Sequence, residues 1–169
     1  MMSSNTRRVV ISRALKPTTK NFLNGPPVNP GSVHVLCKVV DAQPAPTSTA
    51  TNVAAARRAL AAYDKPLHVI LGGSLKGEAF EPLCAAMDDN VRAVYLIGDA
   101  ADELDAALRP TGVRIERCSD LARAVTCAAA EARPGEVVLL SPACASFDAF
   151  RDFEHRGEEF RRLAQNLEV

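Results

Sequence analysis

From residue 47 onward the apolar positions follow two alternating patterns. Short, nearly unbroken apolar runs occur at Leu67-His-Val-Ile-Leu71, Ala93-Val-Tyr-Leu-Ile97 and Val137-Val-Leu-Leu140, with a further short strand read at Val113-Arg-Ile-Glu116. Runs of that length, closed by glycine or small polar residues, predict buried β-strands. Between them the apolar residues recur three or four apart. Val53, Ala56 and Leu60 share one face of a predicted helix over 50–63, with Ser48, Thr49 or Thr51 available as a cap. Further helices are predicted over 79–87, with Pro82 in the first turn, over 100–108, over 120–132 capped by Ser119, and over about 148–167 with a break at Gly157.

Strands that are apolar throughout, rather than alternating, must be covered on both sides. The expected fold is therefore α/β: a Rossmann-like, mostly parallel sheet with helices on both faces. Ligands in such folds sit at the carboxyl ends of the strands. The loops Gly72–Gly77, Gly98–Asp99 and Ser141–Ser146 should share that rim.

Residues 1–46 read differently. Lys16-Pro-Thr-Thr-Lys20, Gly25-Pro-Pro-Val-Asn-Pro-Gly31 and Gln43-Pro-Ala-Pro46 break regular structure. This predicts an irregular N-terminal segment with one possible strand at 33–40, where Val33, Val35, Cys37 and Val39 alternate with His34, Leu36 and Lys38. The remainder, 47–169, reads as one domain.

Composition narrows the functional classes. The chain has 169 residues with zero formal net charge, 47% hydrophobic and 24% charged. A nucleic-acid or anionic-membrane role gains no support from that balance. The distribution is uneven: six Lys or Arg against Asp41 alone give residues 1–45 a charge of +5. That segment, rich in Ser, Thr and Arg, also has something of the composition of an organelle transit peptide. The whole chain's five cysteines, 37, 84, 118, 127 and 144, form no CxxC pair. That argues against a disulfide scaffold or a zinc motif and for reduced thiols in a cytoplasm. No apolar run approaches the roughly 18 residues needed to span a bilayer.

Three segments on or beside the expected rim could carry chemistry. Thr47-Ser-Thr-Ala-Thr-Asn52 precedes a helix and serves either as a cap or as an anion site. Gly72-Gly-Ser-Leu-Lys-Gly77 is not a P-loop, because Glu78 stands where Ser or Thr is required. Its Lys76 either pairs with a carboxylate or is simply solvated. In Ser141–Gly157, Ser146 and the backbone amides of the following helix favour an anion. Cys144 has no basic neighbour to activate it and reads as a small buried residue rather than a nucleophile. His155, set among charges, reads as solvated. Phe147, Phe150 and Phe153 read as core aromatics.

Residues 141–157, SPACAS followed by Asp148 and the pattern F-x-x-F-E-x-R-G, resemble the C-terminal signature of the UDP-N-acetylmuramoyl-L-alanine:D-glutamate ligases, the MurD group of Mur ligases. Leu71-Gly-Gly-Ser-Leu-Lys-Gly77 with Phe80 resembles that family's LGG-x-x-K-x-x-x-F loop. Ala50-Thr-Asn-Val53 resembles the end of its NDSKATNV motif. The resemblance spans roughly residues 48–169.

It implies an ATP- and Mg-dependent ligase reaction in the complete family enzyme. A nucleotide-substrate carboxylate is phosphorylated, and the D-glutamate amine attacks the acyl phosphate. It further implies that Thr51 and Lys76 hold the α-carboxylate of D-glutamate. Ser146 and the Phe153 backbone would hold the side-chain carboxylate, and Phe147 would line the pocket. The Asn, Asp and Lys of NDSK are replaced by Pro46, Thr47 and Thr49, which removes the phosphate-side cation.

With no GxxGK[ST] loop in the sequence, we expect a fragment without turnover of its own, binding neither ATP nor a metal by itself. Residues 1–47 would be non-homologous sequence, and the missing central and N-terminal ligase domains would be partners supplied in trans. The chain would otherwise be a cytoplasmic monomer with no nucleic-acid or membrane partner. Two alternatives are a stand-alone amino-acid-binding or Mur-interacting module, and a different enzyme using Cys144.

Overall fold

A computed structural model describes residues 8–13, 32–37, 51–75, 77, 79–144, 150–151 and 153–167; for 8–13, 32–37, 51–52 and 153–154 the description is limited to the backbone. The described strands are β1 (Arg8–Arg13), β2 (Ser32–Cys37), β3 (Leu67–Gly72), β4 (Val91–Ile97), β5 (Arg114–Arg117) and β6 (Val137–Ala143). They form one sheet in the order β1-β2-β6-β3-β4-β5, and each of the five pairings is parallel. The helices are α1 (Thr51–Leu60), α2 (Ala101–Leu108), α3 (Leu121–Glu131) and α4 (Phe153–Asn166). A 3-10 helix, Glu81–Ala86, carries Pro82 in its first turn, where the missing amide hydrogen costs nothing.

The apolar strand runs are explained by what covers each face. Leu67, Val69 and Leu71 of β3, with Val94, Leu96, Val137 and Leu139, meet Val53, Ala56 and Leu60 of α1, Leu83, and Leu104 and Leu108 of α2. The alternate positions, Ile70, Ala93, Tyr95, Val138 and Leu140, meet Leu121, Ala124 and Val125 of α3 and Phe160 and Ala164 of α4. Two cores therefore sandwich the sheet. At ~2 kcal/mol for each fully buried Leu, Ile or Val, these layers dominate the stability of the fold.

The structure differs from the sequence reading in several places. The stretch read as irregular contributes two strands. β2 covers 32–37 of the strand expected at 33–40, and 38–40 lie outside the described residues. β1, Arg8-Val-Val-Ile-Ser-Arg13, was not expected; its β-branched Val9, Val10 and Ile11 suit a strand that pairs along its full length with β2. Asp120, not Ser119, caps α3: its Oδ1 accepts from the Arg123 amide at 2.8 Å, and the Ser119 hydroxyl donates to its Oδ2.

The break expected at Gly157 is absent. α4 runs through it because Arg156, Gly157, Phe160 and Ala164 form one buried face. That packing outweighs the ~1 kcal/mol helix penalty of glycine. Among the described residues, no helix is long and apolar enough to cross a membrane.

Candidate functional site at the carboxyl edge of the sheet

β3, β4 and β6 end side by side, and their exits are locked together by backbone. Gly72 sits at φ 126° opposite Ala143, and a Cβ on it would lie 1.9 Å from the Ile97 carbonyl oxygen. Only glycine allows β3 to pass so close to β4. The next residue, Gly73, donates its amide to the Ile97 carbonyl at 3.1 Å and accepts from the Ala100 amide at 3.0 Å. Thus the Gly-Gly pair ties the β3 exit to the β4 exit and to the start of α2. The loop then runs out to Leu75, the exposed large hydrophobic among the described residues.

β6 ends differently. Ala143 takes φ 60°, a left-handed conformation that costs a non-glycine residue of order 1 kcal/mol. The turn is held by Arg156 of α4, which is buried. Its Nη1 and Nη2 donate to the Cys144 carbonyl at 3.4 and 3.3 Å. Cys144 itself is buried among the apolar residues of the α1 side, as expected for a small packing residue. His155 is half-buried and packs edge-on against Phe150 at 5.6 Å, so the solvated reading of it was wrong.

The residues singled out from sequence stand as follows. Thr51 opens α1 and Phe153 opens α4; only their backbone positions are described. Lys76, Ser146 and Phe147 lie outside the described residues, as do Thr47 and Thr49. What the structure brings together is the frame from which these residues extend. The β3 exit leads to Lys76, the β6 exit leads to Ser146 and Phe147, and helices begin at Thr51 and Phe153. A helix that follows a parallel strand starts at the carboxyl edge, where its unpaired amides favour anions.

Arg156 had no assigned role in the sequence reading, although it lies in the F-x-x-F-E-x-R-G pattern. Its spacing from Phe160 and Ala164, four and eight residues on, was the available signal that it faces inward.

A second polar group lies on the α3 side of the sheet. Tyr95 donates its hydroxyl to Glu131 at 3.0 Å and lies 3.1 Å from His68 Nδ1, while His68 Nε2 lies 3.0 Å from Glu136. Arg114 holds Glu131 through both terminal nitrogens. Burial, and then the bond to Glu131, push the Tyr95 hydroxyl far above its ordinary pKa. The Arg114 bond holds the Glu131 carboxyl below its ordinary value. These groups fasten β3, β4, β5 and α3 together.

Residues 37–144 match the Mur ligase, glutamate ligase domain. The chain belongs to this Mur ligase family. Proteins named UDP-N-acetylmuramoylalanine–D-glutamate ligase are similar to it. The one from Zymomonas mobilis is 45% identical over 121 residues, 72% of this chain and 27% of that protein. The one from Sphingopyxis alaskensis is 48% identical over 124 residues, 71% and 28%. The one from Ralstonia nicotianae is 44% identical over 138 residues, 82% and 28%.

This Mur ligase domain thus spans about a quarter of the length of the relatives it matches. Solved structures similar to it include UDP-N-acetylmuramate-alanine ligase MurC from Thermotoga maritima, with a TM-score of 0.43 and 14% identity, covering 66% of this chain and 24% of that one. A domain from a putative UDP-N-acetylmuramate:L-alanyl-γ-D-glutamyl-meso-diaminopimelate ligase of Haemophilus ducreyi has a TM-score of 0.45 and 15% identity, covering 80% and 91%.

Proposed function

We propose that this domain holds D-glutamate for addition to UDP-N-acetylmuramoyl-L-alanine in peptidoglycan synthesis, and that it does not complete the reaction alone. The observation that carries the reading is the placement of the family's motifs. The described parts of those motifs, Leu71–Leu75 and Ser141–Cys144, lie at the carboxyl edge that Gly72 and Arg156 fix, and α1 opens at Thr51. The relatives' names and 44–48% identity support D-glutamate as the amino acid.

D-Glutamate carries two carboxylates and the attacking amine. Lys76 and Thr51 bind the α-carboxylate; Ser146 and the Phe153 backbone amide bind the side-chain carboxylate; Phe147 covers the aliphatic stem. Charge-assisted hydrogen bonds at both ends leave the amine free and oriented.

The residues present do not fit ATP. The loop Gly72–Gly77 lacks the P-loop spacing, and Thr47 and Thr49 stand where the family has acid and lysine. Activation of the acyl group therefore belongs to the central and N-terminal ligase domains, acting as partners. The chain acts in the cytoplasm.

Isothermal titration with D- and L-glutamate tests the pocket. We expect weak binding that favours the D-isomer and is lost in Lys76→Ala and Ser146→Ala. Equal binding of both isomers overturns the assignment. Ligation is then assayed with the chain alone and with a relative's truncated N-terminal portion added. Turnover by the chain alone overturns the claim that it is incomplete. The Pro46, Thr47 and Thr49 replacements favour a second reading, a non-catalytic amino-acid-binding module. That reading holds if the supplemented assay stays silent while D-glutamate binds.

A further inference from the structure

The edge strand β5 and helix α3 gather three metal-type donors that the D-glutamate reading does not use. The carboxylate of Glu116 and the thiols of Cys118 and Cys127 lie with their ligand atoms all within 4.8 Å of one another. β3 and β4 separate this group from β6 in the strand order. Glu116 and Cys118 are two residues apart at the end of β5, which puts them on one side of the strand. Cys127 reaches them from α3. The Cys118 amide donates to the Leu96 carbonyl at 2.8 Å, so the strand end that presents the first thiol is fixed.

The donor set suits a cation that prefers sulfur, and the ion must displace protons from thiols whose pKa burial raises, that of Cys118 to about 11. Two thiolates and one carboxylate select Zn²⁺-like ions over Mg²⁺ or Ca²⁺, which take oxygen. A tetrahedral ion ~2.3 Å from each sulfur spaces its ligands about 3.8 Å apart, which small rotamer adjustments reach from the present separations. Both cysteines are half-buried against the second core. The Glu116 side chain keeps 28% of its surface exposed, which leaves an entry path and room for a water as fourth ligand. Two thiolates, a carboxylate and a divalent ion sum to −1. The Arg114 guanidinium, 3.2 Å from Glu116, and Arg123, whose charge acts on both thiols, offset that charge. Arg114 has Glu131 as its main partner, so Glu116 can turn to the ion without leaving a buried charge alone.

We propose that Glu116, Cys118 and Cys127 form a binding site for a thiophilic divalent cation, with Zn²⁺ as the fitting ion. On binding, two sulfur–metal bonds replace two S–H bonds and two protons pass to solvent; no oxidant or reductant takes part. The bound ion would clamp the edge strand to α3 through ligands from both elements. The eight-residue gap between the two cysteines crosses from strand to helix, so no CxxC-type spacing reveals the site.

The test is titration of the full reduced chain with Co²⁺ under anaerobic conditions, then displacement by Zn²⁺. One equivalent of Co²⁺ should raise thiolate-to-metal charge-transfer bands and the visible bands of tetrahedral cobalt, and Zn²⁺ should abolish both. Cys118→Ser and Cys127→Ser should lose the bands. Glu116→Gln should keep sulfur bands but bind about tenfold more weakly, ~1.4 kcal/mol. Cys84→Ser should behave as the parent.

A second readout needs no variant. Zn²⁺ should protect Cys118 and Cys127, and not Cys84, from alkylation mapped by peptide mass spectrometry. Octahedral cobalt spectra without sulfur bands, unchanged titration in Cys118→Ser, or equal protection of all cysteines each overturns the proposal.

Discussion

Arg156 reaches out of α4 to the carbonyl of Cys144, twelve residues earlier, and is itself buried. The arginine fixes where the chain turns after β6 and where α4 begins. Arg156→Met keeps most of the volume but removes the donors. Losing a buried charged donor should cost about 2–3 kcal/mol in urea unfolding, and D-glutamate binding should weaken with it. A change under about 0.5 kcal/mol would show that the turn stands without the arginine.

Gly72 is the tightest backbone position of the edge. With φ at 126° and the Ile97 carbonyl 1.9 Å from any added Cβ, Gly72→Ala must separate β3 from β4. We expect a loss of about 3 kcal/mol or more. Gly77→Ala, where φ is +70° but nothing lies within 4 Å, should cost about 1 kcal/mol. Chemical denaturation of the pair separates steric clash from backbone preference, and equal losses would remove the clash explanation.

Acid should weaken the fold through Glu131 and Glu136. For Glu131, the Arg114 bond lowers the carboxyl below its ordinary 4.5. For Glu136, burial pushes upward, but the Arg133 amide and His68 outweigh it, and the net direction is again down. A carboxyl depressed in the folded state stabilises at pH above the unfolded value near 4.5. It loses that contribution as pH falls through the folded value. Midpoints measured from pH 7 to pH 3 should decline below about 4.5. Glu131→Gln should flatten the decline and lower the plateau at neutral pH.

Tyr95 links His68 to Glu131 across the sheet. Tyr95→Phe removes one hydroxyl and leaves His68 Nδ1 buried with one partner fewer, for a cost of about 1–3 kcal/mol. D-Glutamate affinity should not change, because this group lies on the α3 side, away from the Gly72–Cys144 edge. Parallel unfolding and binding titrations check both halves.

Asp120→Ala should cost about 1 kcal/mol by removing the α3 cap, and Asp120→Ser should restore most of it. Thermal unfolding of the two variants distinguishes a cap from a general charge effect.

The sandwich was legible because its strands are apolar on both faces, which only a doubly covered parallel sheet requires. Leu67–Leu71 and Val137–Leu140 are the plainest examples. β1 was not, since proline and glycine nearby masked a run of only Val9, Val10 and Ile11. Ser119 and Asp120 are both good caps, and sequence does not decide which one turns inward. Gly157 reads as a helix breaker unless one knows that Arg156, Phe160 and Ala164 bury that side of α4. The candidate site was legible as motifs, but its supports were not. The contact between Arg156 and Cys144 depends on how far α4 swings back toward β6, and no spacing encodes that distance. Cys118 and Cys127 met for the same reason, across a strand and a helix.

The strand order has a consequence for synthesis on the ribosome. β6, the last of the described strands in chain order, lies between β2 and β3. Until residues 137–143 leave the exit tunnel, β2 and β3 have no common neighbour, and the earlier strands wait as two separate groups with exposed edges. The nascent chain is most open to chaperones and to mispairing at that stage. Residues 137–143 are then the segment that converts two waiting pieces into one sheet.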